Sequence, residues 1–311
     1  MKTITILWFF ACSLLIMACS GDEENIPPEK TVNDIDLVLQ QRSMPLSSFD
    51  VGPYPVLSIL VGNSIYFGNY SNTAKPQFFV RYSLQNNTFS SPLAVSTNVC
   101  GCGYSSKLVS DGTNIFFIAN DATKYTATNN NWSNTSYPAT AKDNNGEAGV
   151  GYLNGNIYFI GGRTESTLFK YYSISQNQWF TVPNYLYATS RSQVIAYKDR
   201  LYVLGGANAT RKMAYFSISD NSWTPLPDTP FEINTSYGDT YAAVLGDHLF
   251  LLQGDKMQIY DLTKNIWADT PVSMAGLPSY ANLFSDGRKL YIAGKNASNV
   301  PIVLDVNMTY Q

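Results

Sequence analysis

Acid–base and ligand chemistry in this chain must be assembled from few parts. His248 is the sole histidine and is expected in a turn on the face away from the other candidate groups, so neither a Ser-His-Asp triad among them nor a multi-histidine metal centre can be built. Cys100-Gly101-Cys102 is the one closely spaced thiol pair. Outside the cytoplasm it can be oxidised, although a single intervening residue makes a small, strained ring. A reduced pair or a metal-binding pair stays open, but two thiolates fill only half of a tetrahedral zinc site. A strained local disulfide is the favoured reading, with no metal and no cofactor. What survives is carboxylate chemistry. Glu147 as a general base, with Arg191 or Arg163 beside it, is compatible with mutarotation or epimerisation of an acidic sugar.

Something must position these side chains, and the chain supplies a repeat. Apolar pairs recur at Ile65-Tyr66, Ile115-Phe116, Ile157-Tyr158, Leu201-Tyr202, Leu249-Phe250 and Leu290-Tyr291. Each is followed by a second strand-like run and an aromatic: Phe89, Trp132, Trp179, Trp223, Trp267 and Tyr310. These second anchors lie 43, 47, 44, 44 and 43 residues apart. A period in that range, with strand-length runs and no helical periodicity, predicts propeller blades. The clearest copy, residues 151–183, reads strand, turn, strand, loop, strand, turn, strand. Asn154-Gly155 suits the positive φ values of a two-residue hairpin, and Asp111-Gly112 and Asp286-Gly287 hold the same place in their copies. Tyr82, Tyr125, Tyr172, Phe216 and Tyr260 each stand seven residues before their second anchor.

With Gly161-Gly162 and Gly205-Gly206 closing the second strand, a Tyr and a Trp at these offsets, the chain resembles the kelch family of β-propellers. The other copies depart from the doublet, with Asn69-Tyr70, Ala119-Asn120, Gln253-Gly254 and Gly294-Lys295 in its place. A WD-type propeller needs a Gly-His in each blade, which one histidine excludes. The expected fold is all-β, a six-bladed propeller over residues 34–311. After Tyr310 only Gln311 remains, so the sixth blade lacks a fourth strand of its own. The run Ile35-Asp36-Leu37-Val38-Leu39 is expected to supply it, leaving no open edge between first and last blades.

The resemblance implies where a ligand would sit. In kelch-like propellers the loops joining fourth to first strands share a channel mouth with those joining second to third strands. The first set places Tyr54, Cys100, Cys102, Tyr104, Glu147, Arg191, Gln193, Tyr237, Asp239, Tyr241, Tyr280 and Asn282 there. The second adds Lys75, Asp121, Arg163, Glu165, Arg211, Lys256 and Lys295. Aromatic planes with arginines and carboxylates suit stacking on sugar rings and hydrogen bonding to hydroxyls or a carboxylate. The ligand-binding set is expected to be Tyr54, Tyr104, Glu147, Arg163, Arg191, Arg211, Tyr237, Tyr241 and Tyr280, with Glu147 and Arg191 as the catalytic alternative. Kelch-like copper oxidases use paired His and Tyr ligands, which this chain does not match. The arginine triad and Ser-x-Asp-x-Gly repeats of sialidase propellers are absent too. Bacterial sialic-acid mutarotases are kelch propellers exported from the cytoplasm, but their resemblance to this chain stops at the repeat.

Residues 1–18 read as a lipoprotein signal peptide: Lys2, an apolar stretch over 4–18, and Ile16-Met17-Ala18-Cys19 resembling a bacterial lipobox. Cys19 would carry the lipid, and residues 19–33 form a tether whose Asp22-Glu23-Glu24 resembles the acidic export tag of some Gram-negative surface lipoproteins. Without Lys2 the remaining 19 basic and 23 acidic residues carry a net charge of −4, which argues against a nucleic-acid partner. The expectation is therefore a monomeric, lipid-anchored outer-membrane protein, facing the cell surface or the periplasm. Its propeller would bind a glycan or protein ligand, act on a sugar as a mutarotase or epimerase, or serve as a passive subunit of an assembly.

Overall fold

The computed structural model describes residues 30–42, 56–69, 79–94, 107–118, 122–135, 147–162, 167–233 and 240–311. All but Lys30 belong to one compact unit, Thr31–Gln311. The expectations placed on Cys19, Tyr54, Cys100, Cys102, Tyr104, Arg163 and Tyr237 lie outside the described residues.

Among those residues the strands form six antiparallel sheets, one per repeat. The chain opens with β1 (Ile35–Gln41). Blade 1 is β2 (Val56–Val61), β3 (Ser64–Asn69), β4 (Phe79–Ser83) and β5 (Thr88–Phe89); blade 2 is β6 (Lys107–Ser110), β7 (Asn114–Ile118), β8 (Ala122–Thr126) and β9 (Asn131–Thr135). Blade 3 is β10 (Gly149–Leu153), β11 (Asn156–Ile160), β12 (Phe169–Ser173) and β13 (Gln178–Thr181); blade 4 is β14 (Gln193–Tyr197), β15 (Arg200–Leu204), β16 (Met213–Ser217) and β17 (Ser222–Leu226). Blade 5 is β18 (Thr240–Leu245), β19 (His248–Gln253) and β20 (Lys256–Asp261), with its outer position split between β21 (Ile266–Trp267) and β22 (Val272–Ser273). Blade 6 contains β23 (Ser279–Ser285), β24 (Leu290–Lys295) and β25 (Pro301–Tyr310).

The ring closes twice. First strands touch in the cyclic order β2, β6, β10, β14, β18, β23 and back to β2, so they surround the axis. The sixth blade is completed by β1, which pairs antiparallel with β25 from Ile35 opposite Tyr310 to Gln41 opposite Leu304. Just upstream, Thr31 caps a 3-10 turn, Val32–Asp34. Asn33 exchanges two hydrogen bonds with Asp269 of blade 5, at 2.8 and 2.7 Å. The N-terminal segment thus ties blades 5 and 6 as well as supplying a strand.

Second strands carry the core because both of their faces meet neighbouring blades. Ile115, Ile157, Leu201, Leu249 and Leu290 are all fully buried, so these strands read as continuous apolar runs without polar alternation. The seventh-before-last aromatics are buried as well, and four of their hydroxyls find the same partner: an Asn five residues on, at Asn87, Asn130, Asn177 and Asn265. Each of these asparagines adopts a positive φ in the third turn of its blade, which Asn tolerates better than most residues. The tryptophans stitch blade to blade. Trp132, Trp223 and Trp267 donate through Nε1 to Ala94, Pro183 and Pro227 carbonyls of the preceding blade, at 2.7, 2.9 and 3.4 Å.

The glycine doublets sit where backbone conformation and crowding both exclude a side chain. Gly205 and Gly206 have φ of +59° and +100°; a Cβ on Gly205 would lie 2.5 Å from Ile233, and one on Gly206 2.5 Å from the Ser190 carbonyl. The first turns are less uniform than the sequence suggests. Asn154-Gly155 forms the two-residue hairpin with φ of +51° and +80°. At Asp111 and Asp286 the connections are longer, and the carboxylate accepts the N–H groups two and three residues on, at 2.6 to 2.8 Å. An Asx turn replaces the tight hairpin there, because an aspartate can satisfy the loop's backbone donors itself.

Candidate functional site

The first strands all begin at the same end of the ring, and the residues just before or at their starts define one mouth. Glu147 precedes β10 and Arg191 precedes β14, one repeat later. Two glycines bring these blades unusually close. A Cβ at Gly149 would lie 2.9 Å from the Ser192 carbonyl and collide with Ser192 Oγ, and one at Gly151 would lie 2.5 Å from Val194 Cγ1. The close approach lets the Arg191 N–H donate to the Glu147 carbonyl at 2.5 Å. The side chains then meet: Arg191 Nη2 is 2.9 Å and Nε 3.2 Å from Glu147 Oε2. Glu147 is 8% exposed, so the pair is largely desolvated, and charge-assisted contacts of this kind are among the stronger ones.

Both residues have left-handed backbone, φ +66° for Glu147 and +59° for Arg191, as does Tyr280 at +55°. Non-glycine residues in that region cost of order 1 kcal/mol or more each, and they cluster at sites where the surroundings over-determine them. Tyr280 lies in a break of register between Ser279 and Asn282, a bulge that re-aims a side chain at a strand start. Its carbonyl accepts from buried Asn282 Nδ2 at 2.8 Å, while Lys295 Nζ stands 5.1 Å from its ring centroid and donates to Asn299 Oδ1 at 3.0 Å. Tyr241 is half-buried near the start of β18, and Gln193 opens β14.

Other expected residues are placed differently. Arg211 directs its guanidinium at its own blade, donating to the Thr229 and Pro230 carbonyls at 2.9 and 2.6 Å. Lys256 opens β20 and is exposed. His248 opens β19, at the other end of the blade from the mouth.

Sequence reasoning missed Lys107. It opens β6, is half-buried, and has no hydrogen-bond or ion-pair partner among the described residues. Burial, with the nearby Arg191 guanidinium adding repulsion, lowers its ammonium from 10.5 to about 8. The available signal was a lysine heading a strand that otherwise runs into the core. Ser192, next to Arg191, adds a buried hydroxyl without a hydrogen-bond partner. The mouth therefore offers an ion pair, aromatic planes and an additional ammonium: groups that can hold a polar ligand or, through Glu147, move a proton.

No protein-family model matches this chain, and no curated protein matches it. Among solved structures it is similar to that of YjhT, with a TM-score of 0.64 over 83% of this chain and 98% of that one, at 13% identity. At that identity the likeness is one of fold, and it supports a six-bladed β-propeller.

Proposed function

We propose that this protein is a membrane-anchored lipoprotein whose kelch-like propeller binds a ligand at the channel mouth, most plainly a glycan. The observation that carries the reading is the Glu147–Arg191 pair: two residues from adjacent blades, both held in left-handed conformations, meeting at 2.9 Å where first strands begin. Tyr241 and Tyr280 start their strands at the same end, and such rings would stack on sugar faces. Anchoring rests on the lipobox ending at Cys19 and the acidic stretch that follows. A glycan-array screen of the purified chain, with calorimetry on every hit, tests the binding; absence of any hit would turn attention to a protein ligand. Labelling with a radioactive fatty acid in cells, lost in Cys19→Ala, tests the anchor, and protease treatment of intact cells tests which side it faces.

A second reading has support in the same pair. A mutarotase or epimerase requires a carboxylate and a cationic group converging in one site, and Glu147 with Arg191 meets that requirement. Faster exchange of a bound sugar's anomeric signals by NMR, lost in Glu147→Gln, would establish it. Binding without faster exchange would leave the receptor. The passive-subunit reading calls for a contiguous apolar face. Large exposed apolar side chains among the described residues are Val38, Leu186, Ile266 and Tyr310, spread over three parts of the ring, and scattered apolar residues of this kind are normal on a soluble surface.

A further inference from the structure

We infer that blade 1 carries a second ligand site, apart from the mouth: a cleft at its far end that seats one acidic sugar unit, with the sugar's carboxylate on Arg81. The cleft has a volume of about 290 Å³ and is lined by residues of β3, β4, β5 and the turns beside them. Its lining begins at Asn63, just before β3, and includes Gln85 between β4 and β5. It therefore opens where the first strands finish, at the end of the ring opposite Glu147 and Arg191.

The cleft arises from a departure from the repeat. In blade 3 the register places Tyr158, Tyr171 and Phe180 side by side across three strands. Their rings fill that face, with successive centroids 5.2 and 5.0 Å apart. Blade 1 keeps the first ring as Tyr66 but has Arg81 opposite it, and the Ser90 N–H donates to the Arg81 carbonyl at 2.8 Å. Arg81 and Ser90 thus stand where blade 3 has Tyr171 and Phe180, and two rings are missing. Blade 4 keeps the middle ring as Tyr215 and covers it with Arg200, 4.3 Å from the centroid. Ser64 occupies the place of Arg200 in blade 1 and covers nothing.

Size and chemistry select the occupant. Pockets for small molecules begin at about 300 Å³, so this cleft takes one sugar ring and not a chain of them. Apart from Phe89 its lining is polar, with one cation and no carboxylate. Ser83 and Ser90 use their hydroxyls within the fold, accepting from the Asn86 and Arg81 N–H groups at 3.2 and 3.1 Å. Ser64, Thr88 and the Gln85 amide have no side-chain hydrogen bond among the described residues, and Arg81 pairs with no carboxylate there. A planar guanidinium grips a carboxylate through two parallel N–H groups. Hydroxyls and an amide both donate and accept, as sugar hydroxyls require. One fork beside neutral partners matches one carboxylate on a polyhydroxylated ring.

The test is ligand-observed NMR titration of the purified full chain with D-glucuronate, D-glucose and acetate at constant ionic strength. D-glucuronate is expected to bind at least about tenfold more tightly than D-glucose or acetate. Ser90→Phe restores the ring of blade 3 at the equivalent register and should abolish binding by filling the space. Arg81→Met should bring D-glucuronate down to the affinity of D-glucose, and it serves as the deciding variant should Ser90→Phe fail to fold. Glu147→Gln, in the mouth, should leave the cleft's affinity unchanged. Equal affinity for D-glucuronate and D-glucose, acetate binding as tightly as D-glucuronate, or no saturable binding of D-glucuronate would each overturn the proposal. So would a preference unchanged in folded Arg81→Met. The two sites fail separately: binding kept in folded Ser90→Phe and lost in Glu147→Gln would sink the cleft and keep the receptor at the mouth, and the opposite pattern would establish the cleft without the mouth.

Discussion

Arg42 Nε lies 2.8 Å from Asp305 Oδ1, joining residues 263 positions apart at the seam of the ring. The same guanidinium reaches into blade 1, donating through Nη1 to the Leu84 carbonyl at 2.6 Å and to Asn87 Oδ1 at 2.9 Å, and lies 5.7 Å from the Tyr291 ring centroid. Asn87 is the partner of the buried Tyr82 hydroxyl, so the contact extends into that blade's core. Asp305 is held from its other side by Lys289 at 3.1 Å. One side chain at the end of β1 therefore fastens the first blade to the last.

Arg42→Ala should lower unfolding free energy by about 2 kcal/mol, because the pair is mostly buried and Asp305 keeps only Lys289. Urea denaturation with an unchanged m-value checks it. An unaltered midpoint would mean that the β1–β25 ladder closes the ring unaided. Removing residues 30–42 altogether leaves the long β25 as an open edge, and gel filtration should then show oligomers or aggregate.

The tryptophan stitches separate packing from hydrogen bonding. Trp223 donates to the Pro183 carbonyl at 2.9 Å and packs on Phe169 of the preceding blade, with ring centroids 5.0 Å apart. Trp223→Phe should cost about 1 kcal/mol, the worth of one hydrogen bond plus minor repacking. Trp223→Ala should cost roughly 3 to 5 kcal/mol by opening a cavity between blades. Similar losses for the two variants would show that the indole N–H, not its area, holds the blades.

Blade number and ring closure were legible because a 3-turn repeat imposes the same anchors at each period, and because the missing fourth strand after Tyr310 needed a donor. The four Tyr–Asn pairs were legible too but unread: Asn87, Asn130, Asn177 and Asn265 each stand two residues before their second anchor. The site was only partly legible. Glu147 and Arg191 occupy equivalent places in neighbouring repeats, so their adjacency follows from topology, whereas the close approach that joins them depends on Gly149 and Gly151. Nothing local marks Arg211 as a brace for its own loop. Arg42 gains its role from partners dozens to hundreds of residues away, which periodicity alone does not pair.

Crowding and backbone conformation at the glycine doublet can be told apart. Gly155→Ala meets nothing within 4 Å at φ +80°, so only the conformational penalty applies, about 1 kcal/mol. Gly206→Ala adds a collision with Thr189 and with the Ser190 carbonyl at φ +100°, and should cost at least about 3 kcal/mol. Thermal unfolding of both variants gives the comparison. Equal shifts would mean that the Thr189–Ser190 segment leading into β14 moves aside freely, and that the doublet serves conformation alone.

Lys107 makes a prediction whose sign can be worked out. Its ammonium falls from 10.5 to about 8 in the folded chain, so between those pH values the unfolded chain binds more protons and stability rises with pH. Below about pH 8 both states are protonated and the folded chain carries the full penalty of the charge; above about pH 10.5 neither does. Lys107→Met keeps the length and removes the charge. It should be more stable than the parent at neutral pH by about 2 kcal/mol, a figure reduced from the full shift because the side chain keeps some contact with screening water. The gap should close as pH passes 10. A difference independent of pH would locate the effect in packing around β6, and a variant less stable at neutral pH would mean that the ammonium has a partner holding it in place.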